Sequence, residues 1–515
     1  MYTRQYLISY TLFIIYLTDR FAEVFYVENY ILIQYFEWYV PADQKHWERL
    51  QKDAGHLASL GVSGVWLPPC CKATSAQDVG YGVYDLYDLG EFDQKGTTAT
   101  KYGDKASLKA AVKALHKAGL CVYADVVLNH KAGADETELI NVIEVDSQNR
   151  DRDISAPFEI EAWTKFTFPG RKGKYSKFVW GWQHFTGTDY DQKTGKSSIY
   201  RIVGENKSFS ENVDQEFGNY DYLMFTDIDY HHPDVVSETI AWGKWICDEL
   251  SLDGMRLDAV KHINEDFIRL FVKTMKEYVK RPFFAVGEYW KDDTSLLREY
   301  LKDEAYCLTL FDVALHYNFF DAGNRGKDFD LRTIFDGSLV QSNPQNVVTF
   351  VDNHDSQHHQ ALESSVAGWF KISAYALILL RQDGYPCLFY GDYYGIGGDQ
   401  PAAGRKDEID PLLEARKNYA YGEQVDLFDH PNVIGWQRLG DDDHPASGLA
   451  VLISNSDDGY KDMDFSEAMA GSVWNDCTGH ITDPVILSDE GKGRFYVKGG
   501  SVSVWTRKTE GRPSV

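Results

Sequence analysis

The sequence predicts an α/β chain: a (β/α)8 TIM barrel, an inserted β-rich domain after its third strand, and a C-terminal antiparallel β-sandwich domain. Three observations carry this reading. Short apolar runs alternate with amphipathic segments over residues 31–421. One interval, residues 129–231, has no helical period of useful length. After Tyr421–Gly422 the pattern changes to short pieces in which apolar and polar residues alternate. The chain of 515 residues is long enough for about three domains of ~150 residues each.

In order, the strand candidates are residues 31–36, 62–68, 121–128, 252–257, 283–287, 308–315, 347–351 and 386–390. Each is a short apolar run of the kind buried on both faces in a parallel sheet. Between them, residues 47–60, 108–118, 235–250, 266–279 and 369–380 place apolar residues at three-and-four spacing. Gly61, Gly119 and Gly384 close several of these helices or the turns after them. Eight such units make a barrel whose reactive groups sit at the carboxyl ends of the strands. The interval 129–231 is rich in Gly, Asp and aromatic residues and has no crossover helix, so it reads as an inserted β domain. The barrel then comprises 31–128 and 232–421, and residues 422–508 form the sandwich.

Bulk properties narrow the function. The composition of 43% apolar, 14% aromatic and 25% charged residues is that of a folded protein. A formal charge of −26 argues against nucleic acid and anionic membrane surfaces as partners, while a neutral polymer is indifferent to it. The seven cysteines are an odd number without zinc-like spacing, which leans toward a reducing, cytoplasmic location. Residues 6–17 pull the other way: they form an apolar stretch of signal-peptide length, too short to span a bilayer, with no clear small-residue cleavage site. Residues 1–30 are therefore a leader or extension of unassigned role, and secretion stays the alternative.

The chemistry gathers at three strand ends. Gly254–Met255–Arg256–Leu257–Asp258 alternates apolar and polar residues, so Arg256 and Asp258 share one strand face. A cation there favours the ionised acid. On that segment alone a structural ion pair is an equal reading. The runs ending in Gly287–Glu288–Tyr289–Trp290 and Asp352–Asn353–His354–Asp355 have the same design. Buried acids without partners are costly. Asp258, Glu288 and Asp355 therefore read as one site.

Four ordered segments now resemble a known family: Asp125–Val126–Val127–Leu128–Asn129–His130, Gly254 to His262, Gly287–Glu288–Tyr289–Trp290, and Phe350 to Asp355. They are similar to the signature segments of the α-amylase superfamily of glycoside hydrolases (family 13). Residues 34–39, 80–90 and 222–230 are similar to the bacterial liquefying α-amylases in particular, and the resemblance runs from about residue 32 to 505. It implies an endo-acting, retaining α-amylase acting on internal α-1,4-glucosidic bonds of starch or glycogen. Asp258 would be the nucleophile, Glu288 the acid kept protonated by ionised Asp258 and Asp355, and Asp355 the group that holds sugar hydroxyls. His130 and His354 would hydrogen-bond the same sugar, and Tyr81 and Trp38 would supply an aromatic platform. Arg256, Lys261, His262 and Trp290 would line the site, the last three on the leaving-group side. A transglycosylase, an exo-acting α-glucosidase or a silent barrel are the alternatives.

The resemblance also implies a structural Ca2+ held by Asn129, Asp221, Asp227 and the backbone carbonyl of His262. In the liquefying enzymes further carboxylates hold more metal beside it. The matching positions here are Thr186, Ser210 and His231, with Asp229 left as an acid. Fewer acids imply a single calcium per chain, and a monomer is the expected state.

Overall fold

The computed structural model describes residues 29–304 and 306–507, so the reading of residues 6–17 lies outside the described residues. Eight parallel strands close a barrel: β1 Leu32–Gln34, β2 Gly64–Trp66, β3 Cys121–Val126, β4 Gly254–Leu257, β5 Phe284–Gly287, β6 Thr309–Phe311, β7 Val347–Phe350 and β8 Tyr385–Phe389. Their neighbours follow chain order, and β8 pairs back onto β1 through Leu32 and Cys387. Every residue of β4, β5 and β7 is buried, as the unbroken apolar runs require. The barrel interior is filled by Leu32, Trp66, Tyr123, Phe284, Val286, Phe311, Val348 and Phe350, so it is a packed core.

The outer ring comprises α1 His46–Ser59, α2 Lys105–Lys117, α3 Pro233–Leu250, α4 Glu265–Val279, α5 Thr294–Asp303, α6 Val313–Arg325, α7 Lys371–Leu379 and α8 Lys406–Tyr419. One expectation needs correcting. The apolar run 308–315 is strand only to Phe311, because the Asp312 carboxylate accepts the Leu315 backbone N–H and starts α6 at Val313. Val313, Ala314 and Leu315 are then the buried face of a helix.

The insertion is a seven-stranded sheet whose first strand, His130–Lys131, pairs with Thr226–Ile228. That pair sets Asp227 opposite His130 and returns the chain to the barrel rim. Lys131 is buried, with its ammonium 5.2 Å from the Phe166 ring centre and 5.2 Å from that of Trp180. Cation–π attraction therefore helps hold the insertion's own strands together. At the carboxyl end, a six-stranded antiparallel sheet faces the pair Gly459–Asp464 and Lys492–Val497, with Trp474, Trp505, Phe495 and Phe465 between them. Among the described residues no helix is long and apolar enough to cross a membrane. All seven cysteines are free thiols.

Candidate active site

The parallel ladder builds the site. Register places Arg256 beside Asp125 of β3 on one side and Val286 of β5 on the other, and Glu288 N donates to Leu257 O at 2.9 Å. Arg256, fully buried, therefore reaches three carboxyl groups from three adjacent strands. Its Nη1 donates to Asp125 Oδ1 at 2.8 Å and Asp258 Oδ1 at 2.6 Å, and its Nη2 to Glu288 Oε2 at 2.6 Å. Ala259, in left-handed backbone with φ 49°, adds an N–H to Glu288 Oε2 at 3.1 Å. A non-glycine residue in that region carries strain, which here turns the chain straight after Asp258.

Burial pushes the Glu288 carboxyl up to about 7, against the pull of Arg256 and with a smaller push from Asp258. The direction matches the sequence reading, but the leading cause is desolvation and not like-charge repulsion. Asp355 was expected to be ionised. Its carboxyl is instead raised well above the usual range, first by burial and then by Glu288. Both shifts favour the protonated form, which limits the crowding of negative charge around Arg256.

Asp355 is set by its own loop: its N–H and that of Ser356 donate to Asn353 Oδ1 at 2.9 and 2.8 Å. Asp352, in the same segment, is structural. It accepts Ser356 Oγ, Ser365 Oγ and the Val366 N–H, and pairs with buried Lys371 at 2.7 Å. Sequence reasoning missed Asp352, Lys371 and Asp125. Asp125 accepts Trp66 Nε1 at 2.9 Å and the Tyr81 hydroxyl at 3.0 Å, and burial raises its carboxyl to about 6. Its place at the end of an apolar strand was the available signal.

The platform residues do come together. Tyr81 stacks on Trp38 at 6.0 Å and 5°, and on His354 at 5.0 Å and 9°. Trp38 and Tyr81 remain half-buried. The histidines already have protein partners. His354 accepts Gln34 Nε2 at 2.8 Å and faces Asp355 Oδ2 with Nε2 at 3.2 Å, so both ring nitrogens have protein partners. His130 donates from Nε2 to Tyr81 O at 2.8 Å. Both histidines position neighbouring groups in the free enzyme. Trp290 is mostly buried, its Nε1 donating to the Tyr317 hydroxyl at 3.1 Å, so it walls the site rather than offering an open face. Lys261 Nζ donates to Trp290 O at 3.2 Å and lies 3.4 Å from Glu216, a residue of the insertion. His262 donates from Nδ1 to Tyr220 O at 2.7 Å, and burial lowers its imidazole to about 3.

A second acidic place lies at the joint of barrel and insertion. Asn129, Asp221 and His262 line one small cleft with Thr186, Ser210 and His231. Buried Asp227 hydrogen-bonds to Asp221, and Asn129 Nδ2 donates to its Oδ1 at 3.2 Å. Thr186 Oγ1 donates to Asp227, and Ser210 N to Asp221 Oδ2 at 2.9 Å. Burial raises both carboxyls, Asp221 to about 7; the charge of Asp221 raises Asp227 further, and nearby Asp229 pushes both upward. Among the described residues, no ion pair joins a basic side chain to either one. Asp229 itself is paired: Lys207 Nζ donates to one oxygen, and His231 lies 3.4 Å from the other. No group of three or more His, Cys, Asp or Glu side chains gathers as a metal cluster among the described residues.

Carboxyl groups sharing one guanidinium at the strand ends of a (β/α)8 barrel give the layout of a glycoside hydrolase. Residues 51–424 match the family described as alpha amylase, catalytic domain, and the chain belongs to that family. It is 50% identical to a glucan 1,4-alpha-maltohexaosidase of Bacillus sp. (strain 707) over 93% of each chain. It is also 50% identical to an alpha-amylase of Bacillus licheniformis, over 93% of this chain and 94% of the other. A cytoplasmic alpha-amylase of Escherichia coli (strain K12) is 41% identical over 93% of this chain and 99% of its own. In fold, the chain is similar to an alpha-amylase from Geobacillus thermoleovorans solved with acarbose. That likeness has a TM-score of 0.62 at 19% identity, covering 94% of this chain and 99% of the other.

Proposed function

We propose that this enzyme hydrolyses internal α-1,4-glucosidic bonds of starch-like glucans with retention of the α configuration. The observation that carries the reading is the shared guanidinium: Arg256 holds Asp258 and Glu288 side by side. A retaining mechanism needs its two carboxyl groups ~5–5.5 Å apart, a short separation that one guanidinium bridges. Asp258, paired with Arg256, attacks the anomeric carbon. Glu288, whose carboxyl burial keeps protonated to about 7, gives its proton to the leaving glycosidic oxygen. Water then enters, Glu288 takes its proton, and the bond from the sugar to Asp258 breaks. Asp355, whose carboxyl burial raises well above the usual range, binds sugar hydroxyls beside them. The stack of Trp38 and Tyr81 offers half-open aromatic faces to a glucose ring.

Asn129, Asp221, Asp227 and the carbonyl of His262 would hold one Ca2+. The support is a buried pair of carboxyl groups with amide and hydroxyl neighbours, a hard oxygen set that suits a hard dication. The ion would supply the missing positive charge and tie the insertion to the barrel. Lys207 already meets the charge of Asp229, which favours one ion over several.

The test is a blocked chromogenic maltooligosaccharide, with product sizes followed by chromatography and the anomer of the new reducing end by NMR. Mid-chain cleavage giving the α-anomer first is the expected result. A first-formed β-anomer would overturn the assignment of Asp258 as nucleophile, and predominant transfer products would favour the transglycosylase reading.

A further inference from the structure

The residue pair Met224–Phe225 lies in the segment that leads into Thr226–Ile228, the strand that pairs with His130–Lys131. Both side chains are 38% exposed, although each is large and apolar. Phe225 is unusual in two further ways. Its backbone is left-handed, with φ 54°, a conformation that a bulky side chain adopts only at a cost in strain. Two hydrogen bonds hold it there: its N–H donates to Asp189 Oδ2 at 3.0 Å, and its carbonyl accepts the Tyr222 hydroxyl at 3.2 Å. The strained backbone brings the ring to 5.4 Å from that of His130, centre to centre, at 53°. His130 itself feels the charge of Asp258 and is anchored to the carbonyl of Tyr81, the platform tyrosine.

A phenylalanine left 38% exposed in strained backbone gains less from burial than a core ring does, and that gain is offset by the strain, so stability alone accounts poorly for its placement. What it gains is position: a flat apolar face fixed beside the histidine that borders the acid cluster. We propose that Phe225 is a specificity-determining contact, a stacking face for one glucose unit of the bound chain at a subsite formed by the insertion. The partner chemistry is the carbon-bound hydrogens of a pyranose ring, which pack on an aromatic face, and the −26 charge of the chain favours such a neutral ligand over an anion. This inference rests on the glucan reading above.

The test compares wild type, Phe225→Ala, Phe225→Gly and Phe225→Tyr on a series of blocked maltooligosaccharides of increasing length. Turnover by wild type checks the glucan reading independently of residue 225. The Ala and Gly variants should lose about fivefold in kcat/KM on long substrates, the size of one lost aromatic contact. On substrates too short to reach the subsite they should match wild type, and their product sizes from long chains should shift. The Tyr variant should restore wild-type behaviour. Thermal melts serve as the control: Phe225→Gly relieves the left-handed strain but gives up the ring's partial burial, so a folded Gly variant with reduced activity on long chains alone separates a lost contact from a folding defect. A Gly variant with wild-type kinetics at every length would overturn the proposal and leave Phe225 as a cover for His130. A loss equal at all lengths would overturn it too, by showing that the ring acts through His130.

Discussion

Arg256 Nη2 lies 2.6 Å from Glu288 Oε2, while Nη1 of the same guanidinium binds Asp258 and Asp125. A lysine ammonium is a point charge and does not span three carboxyl groups on adjacent strands. Arg256→Lys should therefore lose at least ~100-fold in kcat/KM, which corresponds to about 2.7 kcal/mol of barrier. Arg256→Met, which strands buried acids without their cation, should in addition destabilise the fold by about 3–5 kcal/mol. Steady-state kinetics and thermal melts check both, and a lysine variant within twofold of wild type would falsify the spanning role.

The raised carboxyl of Glu288 sets a pH limit. An acid works only while it holds its proton, so kcat/KM should be flat just below pH 7 and fall about tenfold per unit above it. Glu288→Gln should lose several orders of magnitude in turnover, and its residual rate should lack that alkaline limb. A wild-type profile with no ionisation between pH 6 and 8 would count against Glu288 as the acid.

Metal should matter for stability before it matters for chemistry. Elemental analysis of dialysed protein is expected to give one calcium per chain, and a chelator should lower Tm. An ion at 100 times its Kd contributes about 2.7 kcal/mol to the folded state. Asp227→Asn should abolish both the bound ion and the chelator effect. Two or more ions per chain would show that Lys207 does not fill the place beside Asp229.

Glu304 predicts alkaline sensitivity. Its carboxyl is fully buried at the end of α5, with Arg269 no closer than 3.9 Å and the Cys307 thiol at 3.6 Å. Burial raises it from 4.5 to about 8. Because the folded state prefers the protonated form, its contribution to stability is full below pH 4.5 and is lost as pH rises through about 8. Glu304→Gln should flatten that decline and raise Tm by a few degrees at pH 9, with little change at pH 5. Parallel melting curves across the range would refute this account.

Much of the molecule was legible because its signals are local. The eight strands are apolar runs with a fixed position in an alternating pattern, and each of the acids Asp258, Glu288 and Asp355 stands just past one such run. The run 308–315 misled because an apolar stretch reads alike as strand or helix face. Only the Asp312 cap, which needs the helix to exist before it can accept its N–H, separates the two.

The sequence by itself determined the barrel and the family, and it put Asp258, Glu288 and Asp355 just past three of its strands, since these follow from residue type and order. Tertiary structure alone decided which partners those residues take. Asp125 joins the acids because parallel register sets it beside Arg256, and the Glu288 proton is held chiefly by burial, a property of packing around the strand end. His130 and His354 turn inward because Tyr81 O and Gln34 reach their ring nitrogens first. Hydrogen bonds and desolvation act across distances in space between residues far apart in the chain, and no local pattern encodes them.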